Sequence, residues 1–144
     1  MPSLLTRSKR STGFTMVELL FVLAAIGILS AIAIPSYMGQ RRRARVIGDA
    51  IANAKVLQMG METRRAEDGI YGAAGIYGWK VDGSDATGPA LIATFQPQGA
   101  SKMDYSITID ASRVAYVLTV TDPNLANVTA YQTNQFGMEL ARLH

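Results

Sequence analysis

A long run of uncharged residues constrains this 144-residue chain more than any other feature. From Leu19 to Gln40, 22 consecutive side chains carry no formal charge, and most of them are aliphatic. At a rise of ~1.5 Å per residue, a helix of this length can cross the apolar core of a bilayer, which is ~30 Å thick. The run therefore predicts a helix that lies in a membrane or packs against other apolar helices.

Basic residues flank the uncharged run on both sides. Three of them precede it, namely Arg7, Lys9 and Arg10, and four follow it, namely Arg41, Arg42, Arg43 and Arg45. The cytoplasmic flank of a membrane helix usually carries an excess of basic residues, but three against four is too even to orient this one.

A cleaved secretory signal peptide is one interpretation of this region. A basic leader precedes an apolar stretch, and Ala31-Ile32-Ala33 fits the small-residue pattern of a cleavage site. Glu18 argues against this interpretation, because a carboxylate carried to the bilayer centre costs up to ~3 kcal/mol and a disposable peptide has no use for that cost. A signal anchor and a leader that is processed elsewhere remain open from this pattern.

The composition argues against an enzyme. The chain has no cysteine and one histidine, His144, which excludes disulfides, thiolate chemistry, cysteine-ligated metals and histidine-pair metal sites. No paired acids, phosphate-binding loop or nucleophile and base arrangement is recognisable. Asp82-Gly83-Ser84-Asp85 offers oxygen ligands but lacks the spacing of an EF-hand calcium loop. We therefore predict no catalytic residue, no metal and no cofactor.

A helical pattern continues beyond the uncharged run. Apolar residues at spacings of three and four form one face, consisting of Ile47, Ala50, Ile51, Ala54, Leu57 and Met61. The opposite face carries Arg45, Asp49, Asn53, Lys55 and Glu62. We predict one helix over residues 14–65, interrupted only by Gly27, Pro35, Gly39 and Gly48. Its part 14–40 is apolar all round, and its part 41–65 is amphipathic.

Residues 66–103 are predicted to form a long loop between this helix and a sheet. Seven glycines and two prolines fall between Glu67 and Met103, and the sequence GIYG occurs twice. The repeat places Tyr71, Tyr77 and Trp79 on a flexible backbone. Tight turns that pack these aromatic side chains over the sheet edge are the favoured interpretation, and a surface binding patch is the alternative.

The period changes to two after Met103, which predicts an antiparallel sheet over residues 104–144. Apolar and polar residues alternate from Tyr105 to Asp110 and from Tyr116 to Thr121, and turn residues separate them from third and fourth strands near 128–133 and 138–143. A meander of three or four strands needs a helix on its apolar face. The predicted fold class is therefore α+β, with residues 41–65 packed on the sheet.

Residues 13–37, GFTMVELLFVLAAIGILSAIAIPSY, resemble the class III signal of type IV pilins and pseudopilins. The resemblance implies that a membrane prepilin peptidase and N-methyltransferase removes the leader 1–13 by cleavage after Gly13 and methylates Phe14. It also implies that the leader lies in the cytoplasm, which orients the single membrane-spanning helix. The mature protein would wait in the bacterial inner membrane and would then enter a cell-surface pilus.

The same resemblance assigns assembly roles to four residues. Phe14 and Glu18 would pair between neighbouring subunits, because a buried amine and a buried carboxylate each need an opposite charge. Gly27 and Pro35 match positions between which the helix often loses regular structure in the filament. The implied partners are identical subunits, a pilus assembly platform and its ATPases.

The resemblance implies a pilus subunit that serves adhesion, motility or DNA uptake, and two rivals stay open. A pseudopilin of a type II secretion system has the same signal, helix and sheet. A soluble periplasmic binding module would instead begin at Ile34 after cleavage behind Ala33.

After Arg45 the chain carries seven basic and ten acidic residues, so no direct nucleic-acid site is predicted. The basic cluster from Arg41 to Arg45 suits lipid headgroups or acids of neighbouring subunits.

Overall fold

The computed structural model describes residues 13–84 and 87–143. Leader residues 1–12 and Asp85 of the Asp82 to Asp85 segment lie outside the described residues. The elements in chain order are helix α1 (Met16–Asp68), strand β1 (Gly75–Trp79), helix α2 (Gly88–Leu91), strands β2 (Asp104–Ile109) and β3 (Tyr116–Asp122), a 3-10 turn (Pro123–Leu125), and strands β4 (Val128–Asn134) and β5 (Glu139–Arg142).

The described chain divides after Gly39 into two compact units, which we call the N-terminal unit and the C-terminal unit. The N-terminal unit ends at Gly39 and contains only helical residues after Thr15. The C-terminal unit begins at Gln40 and contains the rest of α1 together with all five strands.

Helix α1 ends at Asp68, three residues after the predicted end. Gly69 follows with a φ of 77°, and its backbone N–H donates to the carbonyl of Arg65 at 2.8 Å. Glycine reaches this left-handed conformation without the steric cost of a Cβ, and it commonly ends helices in this way. The cationic side chain of Arg65 in the last turn also interacts favourably with the helix dipole.

The apolar face of the amphipathic part packs on the sheet, as the spacing predicted. Five α1 side chains are buried in the core, namely Val46, Ala50, Ala54, Leu57 and Met61. Ile51 packs partly buried against the same cluster. The prediction for Asn53 was wrong, because this residue was assigned to the polar face and is only 2% exposed. Its spacing from Ala50 and Leu57 places it inside the apolar face.

The sheet is an antiparallel meander in the order β1-β2-β3-β4-β5. The α+β class and the strands after Met103 are confirmed, and side chains of β3 alternate between buried and half-buried positions. The sheet has five strands, whereas three or four were predicted. The additional strand, β1, belongs to the segment predicted as a loop, and it pairs with β2 from Gly75 opposite Ile109 to Trp79 opposite Tyr105.

Aromatic side chains close the core of the C-terminal unit. Tyr71 meets Tyr116 edge to face, with ring centroids 4.7 Å apart. Phe95 makes similar contacts with Trp79 at 5.4 Å and with Tyr105 at 5.5 Å. These geometries favour the contact of a positive ring edge with a negative ring face. The segment between α1 and β2 is therefore fixed to the core by its aromatic side chains.

Candidate functional site

The N-terminus of α1 is closed by a reciprocal pair of hydrogen bonds between Thr15 and Glu18. The backbone N–H of Thr15 donates to Glu18 Oε2 at 2.8 Å, and the backbone N–H of Glu18 donates to Thr15 Oγ1 at 3.2 Å. The Thr15 hydroxyl also donates to Glu18 Oε2 at 2.7 Å. This is a capping box, which satisfies helix N–H groups that have no partner inside the helix. Within one chain, Glu18 therefore stabilises the beginning of its own helix.

The N-terminal unit has an apolar surface that is exposed among the described residues. Side chains from Phe14, which is 84% exposed, to Met38 stand open on all sides of the helix. The helix is long and apolar enough to cross a membrane, and the span that meets this criterion has none of its surface buried. An apolar patch of this extent marks a surface that meets lipid or protein.

Gly27 and Pro35 lie inside this exposed helical segment. A Cβ placed on Gly27 would meet no atom within 4 Å outside its own helical backbone. Pro35 has no N–H, so the carbonyl of Ala31 lacks its usual donor four residues later. The helix of the single subunit continues through both positions. The loss of regular helix between them in a filament stays a prediction.

The structure places the predicted assembly residues in one unit and the aromatic loop residues in the other. Phe14, Glu18, Gly27 and Pro35 are all exposed and all precede Gln40. The amine that cleavage would create on Phe14 would be four residues from the Glu18 carboxylate along the same chain.

Tyr71 and Trp79 are core residues, so the interpretation of an exposed aromatic patch is wrong for them. Tyr71 is fully buried and Trp79 is 7% exposed. The Tyr71 hydroxyl donates to Glu62 Oε1 at 2.7 Å and accepts from Arg65 Nη1 at 3.0 Å. Burial and the hydrogen bond to Glu62 raise the pKa of Tyr71. Tyr77 is half-buried, and its hydroxyl donates to the carbonyl of Ala73.

Gly88 explains how Trp79 is accommodated. A Cβ at this position would lie 2.2 Å from two atoms of the Trp79 indole and 2.7 Å from the carbonyl oxygen of Gly78. Only a residue without a side chain allows the short helix α2 to approach the ring this closely. The glycine content that predicted a flexible loop is thus partly used for close packing.

Two polar residues of α1 that sequence reasoning placed on the solvent face fix the segment before β2. The Asn53 amide donates to the carbonyl of Gln98 at 2.7 Å and accepts from the Gln98 N–H at 2.8 Å. The Asp49 carboxylate accepts from the Ser101 N–H at 3.0 Å. Asp49 also packs against Gly99, where a Cβ would lie 2.6 Å from the carboxyl carbon. The spacing of three and four around Asn53 is the signal that could have identified its burial.

The described residues contain no group of three or more histidine, cysteine, aspartate or glutamate side chains that could hold a metal ion. At the segment considered for calcium, Asp82 Oδ1 accepts from the Ser84 N–H at 2.9 Å. The hydrogen bonds from Ser84 lower the pKa of Asp82. This short loop is a turn in which the aspartate carboxylate accepts from the backbone two residues on.

Comparison with known proteins identifies the N-terminal segment. Residues 8–34 match the family model described as the prokaryotic N-terminal methylation motif. Similar proteins include the type IV major fimbrial protein FimA of Dichelobacter nodosus, which is 32% identical over 69% of this chain and 65% of its own length. The chain is similar to type IV pilins. No solved structure matches it.

Two further relatives support the same resemblance. The fimbrial protein of Moraxella nonliquefaciens is 38% identical over 46% of this chain and 50% of its own length. The type IV major pilin protein PilA of Myxococcus xanthus (strain DK1622) is 39% identical over 43% of this chain and 28% of its own length. The chain thus covers less than two thirds of the length of each of these pilins. The matches confirm the resemblance that residues 13–37 indicated.

Proposed function

We propose that this protein is a structural subunit of a type IV pilus and has no enzymatic activity. The observation that carries the proposal is the exposed apolar surface from Phe14 to Met38, which contains one charged residue, Glu18, and overlaps the methylation motif. Such a surface is stable only in lipid or against other apolar helices. The two environments correspond to the subunit before and after assembly.

In this proposal, processing creates the second charge of the assembly site. The peptidase removes residues 1–13 and leaves an amine on Phe14, which is cationic at neutral pH because an α-amine titrates near ~8. The same enzyme methylates this amine. The leader remains cytoplasmic, the apolar helix stays in the inner membrane, and the C-terminal unit is exported.

Assembly then depends on two interactions, apolar burial, which has no preferred direction, and an ion pair, which has one. Burial of aliphatic side chains, at ~25 cal/mol per Å², supplies cohesion but specifies no register. An ion pair between Glu18 of one subunit and the Phe14 amine of the next penalises wrong registers, because an unpaired charge in an apolar core is costly. The assembly platform and its ATPases supply the work of extraction from the membrane.

The capping box offers a way to separate two roles of Glu18. Glu18→Gln keeps an oxygen that can accept from the Thr15 N–H, because glutamine also occurs in capping boxes, but it removes the charge. We expect this variant to be cleaved and methylated as usual while the filament yield falls at least about tenfold, the effect of ~1.4 kcal/mol on one register-setting contact. Sheared surface fractions and N-terminal mass spectrometry measure both quantities.

Glu67→Gln is the matched control, since Glu67 is an exposed acid of the same helix in its last turns. Its filament yield should equal that of the unchanged protein. A normal filament yield from Glu18→Gln would contradict the pairing role. Methylated Phe14 in membranes without any sheared filament would indicate a pseudopilin, and a soluble chain that begins at Ile34 would indicate the periplasmic module.

A further inference from the structure

The C-terminal unit contains an open cleft of about 340 Å³ whose charged lining is mostly basic. Arg42 and Arg45 of α1 stand on one side, and Lys102 stands on the segment that precedes β2. We call this feature the basic cleft. Val46 contributes an apolar, buried surface, and Asp122 contributes the one carboxylate.

The three basic side chains of the cleft are exposed and available to a ligand. Within residues 13–84 and 87–143, the side chains of Arg42, Arg45 and Lys102 form neither an ion pair nor a hydrogen bond. Asp122 is 3% exposed, and its Oδ1 accepts the N–H of Asn124 at 2.9 Å. The cleft therefore carries three cations against one carboxylate that is already hydrogen bonded.

The segment before Lys102 is held on α1 by hydrogen bonds from two α1 side chains. Asn53 and Asp49 hold the backbone of Gln98 and Ser101 on α1 through hydrogen bonds of 2.8 and 3.0 Å. Lys102 is the next residue after Ser101. Asp49 thus positions the backbone directly before Lys102, and Asn53 positions the backbone four residues before it.

The chemistry of the lining suits a phosphate group. Arginine presents a planar fork of donors that matches phosphate oxygens in pairs, and lysine adds a point charge. A long polyanion fits less well, because the chain after Arg45 carries more acidic than basic residues. The ligand should be a single phosphate ester rather than a nucleic acid.

The position of Arg42 in the sequence indicates which phosphate. It is the second residue after Gln40, where the uncharged run ends, so it lies at headgroup level when that run spans a bilayer. The orientation in the proposed function places the basic cluster on the exported side, against the usual excess of basic residues in the cytoplasm. Phosphates of the exported-side leaflet would provide these cations with partners there.

We propose that the basic cleft binds the phosphate of an anionic glycerophospholipid and so holds the membrane-waiting subunit at the bilayer surface. This inference rests on the proposed function, because it requires that the apolar helix spans the membrane. Free phosphate esters share the same chemistry and are distinguished by the test. Lipid release from the cleft would then accompany extraction of the subunit into a filament.

The test uses the purified full chain in a neutral sugar detergent, titrated with short-chain phosphatidylglycerol, with glycerol phosphate and with inorganic phosphate. Amide and side-chain NMR shifts of Ser101, Lys102 and Arg45 report occupancy. We expect saturable lipid binding that weakens with salt. We expect Arg45→Gln and Lys102→Gln each to weaken it about tenfold, the effect of one lost charge-assisted hydrogen bond.

Arg41→Gln and Lys80→Gln are the matched controls, because both remove an exposed cation that does not line the cleft. Their lipid affinity should stay within about twofold of the unchanged protein, as expected for an exposed charge that makes no contact with the ligand. Equal losses in Arg41→Gln and Arg45→Gln, with none in Lys102→Gln, would overturn the cleft in favour of a general effect of the basic segment. Equal affinity for glycerol phosphate and lipid would overturn the lipid assignment.

The lipid titration and the filament assay test the two proposals separately. It is made on separate subunits and does not require a filament, whereas the Glu18→Gln experiment measures assembly and does not require lipid binding. Absence of lipid binding with normal pili removes only the cleft proposal. Normal lipid binding without any filament removes only the pilus proposal.

Discussion

Leu23 and Leu57 belong to the same helix, yet 58% of the Leu23 side chain is exposed and none of Leu57 is. Around Leu23 the sequence has no charge for more than five turns of helix, and no element of the N-terminal unit covers it. Around Leu57 polar residues alternate with apolar ones, and the apolar face contacts the sheet of the same chain. Helical structure alone therefore does not determine which surface packs against a helix and stabilises it. Within the described residues, the N-terminal unit has no such packing surface of its own, and the proposed function supplies one as lipid or as neighbouring helices.

Substitution of these two leucines by alanine should give the largest difference in the free energy of unfolding. Leu57→Ala should destabilise the C-terminal unit by ~2 to 5 kcal/mol, because it removes buried methyl groups and leaves a cavity. Leu23→Ala should change the same free energy of unfolding by less than ~0.5 kcal/mol, as is usual for an exposed position. Denaturant unfolding of the full chain in a neutral detergent measures both values.

Leu23→Ala should instead act on the assembled state, in which neighbouring helices are proposed to cover this side chain. Filaments of this variant should dissociate at a lower temperature than those of the unchanged protein. A loss of subunit stability as large as that of Leu57→Ala would contradict the division between the two units.

Two glycines, one in each unit, should differ in the same direction but by a smaller free energy. Gly88→Ala should cost ~1 to 3 kcal/mol, since its Cβ would overlap the Trp79 indole and the core would have to shift. Gly27→Ala should cost nothing in the single subunit, because its Cβ meets open space and alanine favours a helix by ~1 kcal/mol over glycine. Thermal unfolding followed by near-UV circular dichroism, which reports on Trp79, measures both variants. Unchanged stability in Gly88→Ala would show that α2 moves away from the ring easily.

The parts of the fold that have a regular period could be predicted from the sequence. The alternation from Tyr105 onward located β2 and β3, and spacings of three and four located the buried face of α1. Strand β1 was missed because Gly75 and Gly78 interrupt its pattern and glycine is a signal for turns. Its formation depends on pairing with β2, which is a tertiary contact and is invisible to a local period.

The candidate sites also differ in how far the sequence alone predicts them. Phe14 and Glu18 could be proposed from the sequence alone because they belong to a short contiguous motif, and their roles stay a prediction. The basic cleft could not, because only the fold brings Lys102 to the same cleft as Arg45. Asn53, whose hydrogen bonds position that segment, could have been recognised as buried from its spacing, but its polar chemistry indicated solvent. Polar residues at apolar spacings are therefore worth testing as internal contacts.

A further expected effect is limited to alkaline pH and concerns Tyr105, whose hydroxyl accepts from the Asn53 amide at 2.9 Å. Burial raises the pKa of Tyr105 to about 12, and the nearby Asp49 carboxylate acts in the same direction, while the hydrogen bond from Asn53 opposes them. In the unfolded chain the tyrosine pKa is ~10. Between these two values the unfolded state binds fewer protons than the folded state, so the free energy of unfolding falls as the pH rises.

One such tyrosine contributes a slope of at most ~1.4 kcal/mol per pH unit between about pH 10 and 12. Unfolding of the full chain across this range, followed together with tyrosinate absorbance, should show the loss. Tyr105→Phe removes this titration and should flatten part of the slope, while Tyr71 and Tyr116, whose pKa values are also raised, retain theirs. The N-terminal unit has one tyrosine, Tyr37, and it is exposed. A slope that disappears in Tyr37→Phe rather than in Tyr105→Phe would place the pH-sensitive contacts in the exposed unit and contradict the assignment of the core.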